Sequence, residues 1–205
     1  MPPASSERCM TETRLHASLR AVCTDLSARA TRFALVGGLA VSARTEPRFT
    51  RDLDLAVAVV NDQEAESLIR SLRAHRYSIE ALVEHEAAAR LATVRLIPPS
   101  EYSLFVDLLF ASSGIEAEIV AAAEPLEMIE GLVVPVATVA HLIATKVLSR
   151  DDDHRPQDHA DLIALLRHAR EPDIIAARNA LRMIEARGFN RGRDLLSQFD
   201  AALNL

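Results

Sequence analysis

Two carboxylates open an otherwise apolar segment, and this segment constrains the fold of the chain more than any other feature. Residues 52–59 read Asp-Leu-Asp-Leu-Ala-Val-Ala-Val, which is typical of a largely buried β-strand. Asp52 and Asp54 are two residues apart, so a strand places both side chains on one face, about 7 Å apart at Cα. A solvated acidic face is one interpretation. Because aspartate is a poor strand former, the pair favours a face that binds a cation.

A glycine pair precedes this strand at a predicted strand-to-helix transition. Residues 33–36 form a short apolar run typical of a buried strand, and residues 39–43 begin a helix, with Gly37 and Gly38 between them. Backbone amides at a helix N-terminus bind phosphate oxygens, and glycine lets a phosphate approach closely. A glycine pair alone is usually a simple turn. Its place shortly before an Asp-x-Asp strand predicts a nucleotide phosphate site.

A third carboxylate, Asp107, is the lone acid in the apolar segment 104–110. Burying it unpaired would cost roughly several kcal/mol unless it is neutralised or coordinated. An acid at a strand end that reaches solvent is the alternative. Because Mg²⁺ binds a few carboxylates and keeps positions for water and phosphate, we expect Asp52, Asp54 and Asp107 to form a Mg²⁺ site.

Lys146 is the only lysine among the 23 basic residues of the chain. Its spacing from Leu142 and Ile143 places it on the inward stripe of a predicted helix, where it needs an anionic partner such as a triphosphate. A snorkelling lysine or a salt bridge to a nearby aspartate is the alternative. Asp158 falls in the first turn of the next helix, where acids are favoured anyway. Asp161 lies deeper and is expected to orient Lys146 or to act on an acceptor hydroxyl.

The remaining periodicity predicts an α+β fold, a mixed β-sheet with flanking helices followed by a C-terminal helical bundle. Strands are expected over residues 33–36, 53–59, 90–97, 103–110 and, as short pieces, 126–134. Helices are expected over residues 12–30, 39–43, 62–75, 114–122, 138–149, 156–169, 173–187 and 191–202. We expect a flexible tail over residues 1–11, a catalytic domain over 12–135, and a helical domain over 136–205 that contributes Lys146 and Asp161 to the site.

Composition excludes several classes of protein. The net charge of −6 and pI of about 5.7 argue against a chain that coats nucleic acid. No apolar run is long enough to span a bilayer, so we expect no membrane contact. The first residues lack the order of a signal peptide, and the two cysteines lack the spacing of a zinc site. We expect a cytoplasmic protein.

Taken together, four motifs resemble the AbiEii family of toxin nucleotidyltransferases, which includes the MenT toxins and belongs to the superfamily with the DNA-polymerase-β-like catalytic fold. The motifs are the turn Gly37-Gly38, the segment from Thr50 to Asp54, the strand residue Asp107, and Lys146 followed by Arg155, Asp158 and Asp161. The resemblance covers most of residues 33–166. Gln157 stands where the family usually has a basic residue, and His141 stands where it often has glutamate.

The resemblance implies an enzyme that transfers a nucleotide from an NTP to an acceptor hydroxyl and releases pyrophosphate. It implies a two-metal Mg²⁺ site, an acceptor at the 3′ end of tRNA whose modification blocks translation, and a cognate antitoxin protein as partner. The expected metal ligands are Asp52, Asp54 and Asp107. The expected nucleotide-binding residues are Gly37, Gly38, Thr50, Arg48 and Lys146, and Lys146 and Asp161 complete the expected catalytic set.

Two other functions stay open at this point. One is a nucleotidyltransferase for a small molecule, of the antibiotic-modifying kind, which shares the glycine turn and the carboxylates. The other is a non-catalytic module that binds a nucleotide or an antitoxin. A steep salt dependence of activity would favour a nucleic-acid acceptor. Arg44, Arg48 and Arg51 near the site support that acceptor modestly, whereas acids dilute the arginines of the last helices.

Overall fold

The computed structural model describes residues 6–50, 52–85, 88–99, 104–150 and 156–204. Within these ranges the chain forms a seven-stranded mixed β-sheet and eight helices. The last four helices follow the last strand without interruption by further strands in the described ranges. The predicted α+β class, with a mixed sheet and a C-terminal helical part, is therefore confirmed.

All seven strands found in the described residues lie in the first two thirds of the chain, with four helices before and between them. The strands are β1 (Phe33–Val36), β2 (Asp52–Val57), β3 (Ser78–His85), β4 (Arg90–Ile97), β5 (Phe105–Leu109), β6 (Glu124–Ile129) and β7 (Leu132–Val136). The helices are α1 (Ser6–Ser27), α2 (Gly37–Arg44), α3 (Asp62–Ala74), α4 (Glu116–Ala122), α5 (Val139–Ser149), α6 (Pro156–His168), α7 (Glu171–Ala186) and α8 (Leu195–Leu203).

The strand order places the acidic strands side by side. The sheet runs β3-β4-β5-β2-β1-β7-β6. Strand β2 pairs parallel with β5 and antiparallel with β1, and β4 pairs antiparallel with β5. Strands far apart in sequence thereby become neighbours, and the residues on one face of β4, β5 and β2 lie next to each other.

Buried apolar residues alternate with partly exposed aspartates at the start of β2 and in β5, and the two sets lie on opposite faces of the sheet. Leu53, Leu55, Val106 and Leu108 are fully buried, whereas the aspartates between them are partly exposed. Since successive side chains of a strand point to opposite faces, the leucines and valine fix the register, and the carboxylates must share the other face.

The largest differences from the predictions concern helix α1 and strand β3. Helix α1 begins at Ser6, earlier than the predicted start near residue 12; the part of the predicted tail over residues 1–5 lies outside the described residues. Strand β3 was not predicted. It lies at one edge of the sheet, is exposed along most of its length, and has irregular register with β4. Such a strand lacks the inward–outward alternation by which sequence patterns indicate strands.

No helix within the described ranges is long and apolar enough to cross a membrane.

Candidate active site

Three carboxylates lie on the face of the sheet opposite the buried leucines of β2 and β5. Asp54 of β2 lies directly opposite Asp107 of β5 in the strand register. Asp52 lies two residues before Asp54 on the same face of β2. The structure therefore brings together the three acids that the sequence predicts as metal ligands.

The environment of Asp54 disfavours its negative charge. Burial raises the pKa of the Asp54 carboxyl to about 6, and the charges of Asp107 and Asp52 act in the same direction. The positive charges of Lys146 and Arg95 oppose this rise in pKa. Asp54 is mostly buried and lies beside two other carboxylates, so a cation that comes close to it stabilises its charged form. This position therefore suits a positively charged ligand.

The glycine pair at the start of α2 packs directly against the site. Gly37 has a φ of +64°, and a Cβ built on it would overlap the Asp54 carboxylate. A Cβ on Gly38 would lie 2.6 Å from Arg48 Nη2 and 3.2 Å from Thr50 Oγ1. Neither position has room for a side chain. The first turn of α2, whose amides have no partner within the helix, therefore packs against both Asp54 and Arg48.

We predict that Gly37→Ala lowers both stability and activity, whereas Gly192→Ala lowers stability alone. Both glycines have positive φ, and an alanine there costs about 1–2 kcal/mol. Only Gly37 adds a steric overlap with Asp54, because a Cβ on Gly192 meets no atom of the described residues within 4 Å. Urea unfolding and a nucleotidyl transfer assay of both variants check this. Equal activities would show that the packing of Gly37 against Asp54 does not matter.

A second cluster lies between α5 and α6. Lys146 is only 8% exposed; its Nζ donates to Asp158 Oδ1 at 2.6 Å and lies 2.8 Å from Asp161 Oδ2. Arg48 Nη2 donates to the same Asp161 oxygen at 2.6 Å. The anionic partners that an inward lysine requires are therefore two buried aspartates of the protein, so the salt-bridge alternative for Lys146 is the arrangement observed.

Asp161 is held in its charged form. Burial raises the pKa of its carboxyl, but hydrogen bonds from Arg48 and Lys146 outweigh burial and bring the pKa below its usual value. Gln157 Nε2 lies 3.3 Å from the other oxygen, Oδ1. Both oxygens of Asp161 are thus engaged, and the side chain links two cations.

Arg48 connects the two clusters. One of its terminal nitrogens reaches Asp161, and the same nitrogen lies beside Gly38. Its Nε is buried and has no hydrogen-bond partner among the described residues. A buried N–H without a partner is costly, and this one supplies a donor for an acceptor such as a phosphate oxygen.

Arg95 of β4 is a site residue that the sequence patterns did not identify. Its Nε donates to Asp107 Oδ1 at 2.8 Å and its Nη2 to Asp107 Oδ2 at 2.7 Å. The same Nη2 lies 3.5 Å from Asp52 Oδ2. The charge at position 95, between the apolar residues Val94 and Leu96, is a sequence signal by which Arg95 could have been found. Its pairing with Asp107 could not be predicted, because it depends on the register of the two strands.

Of three further arginines that lie near the motifs in the sequence, Arg44 is among the described residues. Arg44 donates to the carbonyl oxygens of Ala137 and Val136 at 3.0 and 3.1 Å and pairs with Glu124 at 2.6 Å, so it fastens α2 to the end of β7. Arg51 and Arg155 lie outside the described residues.

His141, the departure from the family pattern in α5, has a local structural role. Its backbone amide donates to Thr138 Oγ1, which caps α5, and its Nδ1 lies 3.0 Å from the same oxygen. Burial lowers the pKa of the imidazole, with the charge of Glu118 acting in the opposite direction. The side chain is therefore engaged at the beginning of the helix.

The carboxylates fit a divalent cation in kind. Mg²⁺ prefers oxygen ligands and binds protein carboxylates together with substrate phosphates. The raised pKa of Asp54 means that a nearby cation would stabilise its charged form. The described residues nevertheless contain no group of three or more His, Cys, Asp or Glu side chains arranged to hold a metal ion. In this arrangement both oxygens of Asp107 accept from Arg95.

Two of the solved structures that match this chain are described as a nucleotidyltransferase-like protein and an adenylyltransferase. An antigenic nucleotidyltransferase-like protein from Paracoccidioides brasiliensis is 19% identical, with a TM-score of 0.53, 92% of this chain and 93% of that chain covered. The lincosamide antibiotic adenylyltransferase LnuA is 16% identical, with a TM-score of 0.48 over 75% and 97% of the two chains. The antibiotic-resistance factor ANT(2'')-Ia is 16% identical, with a TM-score of 0.48 over 92% of each. At 19% identity, the likeness to the Paracoccidioides brasiliensis protein shows a similar fold and nothing about function.

The comparison with curated proteins gives no match. The family model described as "Nucleotidyl transferase AbiEii toxin, Type IV TA system" matches residues 20–204, which includes every element from the middle of α1 to the end of α8. The chain therefore belongs to the AbiEii nucleotidyltransferase toxin family.

Proposed function

We propose that this protein transfers a nucleoside monophosphate from an NTP to the 3′ end of tRNA, releases pyrophosphate and so blocks translation until a cognate antitoxin neutralises it. Family membership supports a nucleotidyl transfer enzyme of a toxin–antitoxin pair. The observation that carries the chemistry is the meeting of Asp52, Asp54 and Asp107 on one sheet face beside the glycine turn.

The three carboxylates are the proposed ligands of a two-metal Mg²⁺ site. Bound Mg²⁺ supplies activation of the attacking oxygen and neutralisation of charge at the leaving pyrophosphate. Asp52 and Asp54 come from one strand and Asp107 from its parallel neighbour, so the sheet itself fixes the spacing of the ligands. Rigid placement matters because positioning and electrostatics supply most of the rate in such reactions.

The glycine turn and its neighbours are the proposed nucleotide site. Amides at the start of α2 offer donors to phosphate oxygens, and the absence of side chains at Gly37 and Gly38 keeps that approach open. Arg48 adds positive charge beside Gly38 and a buried donor without a partner among the described residues. Thr50 places its hydroxyl oxygen at the same glycine and donates to the carbonyl of Asp52 at 3.3 Å.

Lys146 and Asp161, from the proposed C-terminal helical domain, complete this site from the opposite side. Of the two roles open to Asp161, the geometry favours the positioning of cations over the removal of a proton from the acceptor. Its oxygens accept from Arg48, Lys146 and Gln157, and a carboxyl with a lowered pKa is a weak base. We therefore assign it as a positioning residue for Arg48 and Lys146.

We predict that Asp161→Asn raises the KM for the NTP and lowers kcat/KM roughly 10–100-fold, the usual cost of losing a residue that orients a site. The shape of the pH–rate profile is expected to stay unchanged, because Asp161 does not exchange a proton in this assignment. Steady-state kinetics between pH 3 and 9, a range that extends below the ordinary aspartate pKa of 3.8, measure both, with the exposed Asp200→Asn as control. Loss of the acid limb of the profile in Asp161→Asn would instead identify Asp161 as the general base.

Labelling of intact and oxidised tRNA tests the proposed acceptor. Purified protein is incubated with each α-³²P-labelled NTP, Mg²⁺ and total tRNA, either intact or oxidised with periodate to destroy its terminal 2′,3′-diol. The proposal expects label on intact tRNA and none on oxidised tRNA. Label on neither, together with label on an aminoglycoside or lincosamide, would replace tRNA by a small-molecule acceptor.

A salt titration of the same reaction separates these two acceptor classes independently. Contacts to several phosphates of a nucleic acid release counterions, so binding to tRNA weakens steeply with salt. A small-molecule acceptor would give a much flatter dependence. No transfer to any acceptor would favour the non-catalytic module.

A further inference from the structure

Arg95 neutralises the third carboxylate of the proposed metal site with its own side chain. Two parallel hydrogen bonds, at 2.8 and 2.7 Å, occupy both oxygens of Asp107. Such a bidentate pair is the strongest form of contact between an arginine and a carboxylate. The contact at 3.5 Å to Asp52 extends the same positive charge to a second acid of the cluster.

The pairing is built into the sheet. Arg95 and Asp107 lie directly opposite each other on the antiparallel strands β4 and β5, and Asp107 lies opposite Asp54 on β2. The Arg95 guanidinium and the carboxylates of Asp107 and Asp54 therefore lie side by side across three neighbouring strands, on the same face of the sheet. Cross-strand pairs of opposite charge at such positions stabilise a sheet, so the contact follows from the register.

Arg95 also contacts an aromatic ring in the pose that pairs with Asp107. Its guanidinium carbon lies 5.2 Å from the centroid of the Phe105 ring, a cation–π distance. The Arg95 side chain is 36% exposed, so it is open to solvent on one side. An arginine with an aromatic support and solvent access can leave a carboxylate without becoming buried and unpaired.

We infer that Arg95 is an internal counterion that competes with the divalent cation for Asp107, so that metal binding at the site requires the guanidinium to leave that carboxylate. The inference rests on the proposed Mg²⁺ site. It explains why three carboxylates lie side by side although the described residues contain no preformed group of metal ligands. Arg95 would thereby set the divalent-cation concentration at which the site fills.

The test is a titration of the full chain with Mn²⁺ alone, without nucleotide or tRNA. Isothermal calorimetry measures the affinity, and thermal unfolding measures the rise in Tm that Mn²⁺ causes. Arg95→Gln is expected to bind Mn²⁺ about tenfold more tightly than the parent protein, and the Tm rise on saturation is expected to be larger. Arg95→Lys, which keeps the charge but not the fork of two donors, is expected to fall between them and serves if Arg95→Gln folds poorly.

Arg90→Gln is the matched control, because Arg90 lies on the same strand but pairs with Asp62 at 2.5 Å; its Mn²⁺ affinity is expected to equal that of the parent. Equal or weaker Mn²⁺ binding by Arg95→Gln, with measurable binding by the parent, would overturn the competition and leave the metal site standing. No Mn²⁺ binding by either protein would overturn the proposed metal site and this inference together.

Discussion

Asp54→Asn is expected to lower the rate of nucleotidyl transfer on the order of 10²–10³-fold or more, the scale reached when one preorganised electrostatic group is lost from an active site. Asp54 is the central carboxylate, since it lies opposite Asp107 in the strand register and packs against Gly37. Asparagine keeps the shape of the side chain but removes the charge that a cation would require. The transfer assay measures this loss directly.

The same substitution is expected to increase the stability of the metal-free protein at pH 7. The pKa of Asp54 rises from its ordinary 3.8 to about 6 in the folded state, so the folded protein binds this proton more tightly than the unfolded chain does. Stability is therefore lost as the pH rises from about 4 through about 6, by about 3 kcal/mol for a change of about two pH units. Asparagine does not incur this cost.

Urea unfolding in EDTA at pH 7 and at pH 4.5 checks the prediction. Asp54→Asn should unfold at a higher urea concentration than the parent at pH 7, and the difference should shrink at pH 4.5. A variant that is less stable than the parent at pH 7 would show that the Asp54 charge stabilises the fold, and its low activity would then say little about chemistry.

Lys146→Met is expected to produce the largest loss of stability, about 3–5 kcal/mol, the usual cost of removing one partner from a buried ion pair. Asp158 and Asp161 are both buried and both lie within 2.8 Å of the Lys146 ammonium. The substitution therefore leaves two buried carboxylates with less positive charge beside them. Methionine keeps the length and the apolar stem. Nucleotidyl transfer should fall as well, because Lys146 is a proposed nucleotide-binding residue.

Arg70→Gln provides the control for this prediction. Arg70 pairs with Glu66 on α3, and both side chains are more than 60% exposed, so its loss is expected to change the free energy of unfolding by about 0.5 kcal/mol or less. Chemical unfolding of both variants gives the comparison. A Lys146→Met variant as stable as Arg70→Gln would mean that Asp158 and Asp161 are not dependent on the lysine.

Local sequence patterns are sufficient to predict side-chain direction within a single strand or helix, because each has a fixed period. The alternation along β2 and β5 predicts that Asp52, Asp54 and Asp107 avoid the core, and the helical spacing of α5 predicts that Lys146 points inward. In each case the neighbouring leucines and valines fix the direction of the polar side chain. The predicted class of fold follows from the same periods.

Contacts between distant segments were not accessible in this way. The pairing of Arg95 with Asp107 depends on the register between β4 and β5, and the contact of Arg48 with Asp161 joins residues 113 positions apart. The exposed edge strand β3 follows no alternating pattern, because few of its side chains are buried. The pairing of charges across elements is therefore beyond local patterns, since only the assembled sheet and helices determine it.

Transfer of label from an α-³²P NTP to tRNA is the decisive measurement for the proposed activity, with the parent protein, Asp54→Asn and Asp200→Asn assayed side by side in Mg²⁺. Asp200 is an exposed aspartate of α8 that pairs with Arg178 at 2.5 Å, far in sequence from the carboxylate cluster. We expect labelled tRNA with the parent protein and with Asp200→Asn, and almost none with Asp54→Asn. Equal labelling by the parent and a folded Asp54→Asn variant would contradict the carboxylate site as the centre of the reaction.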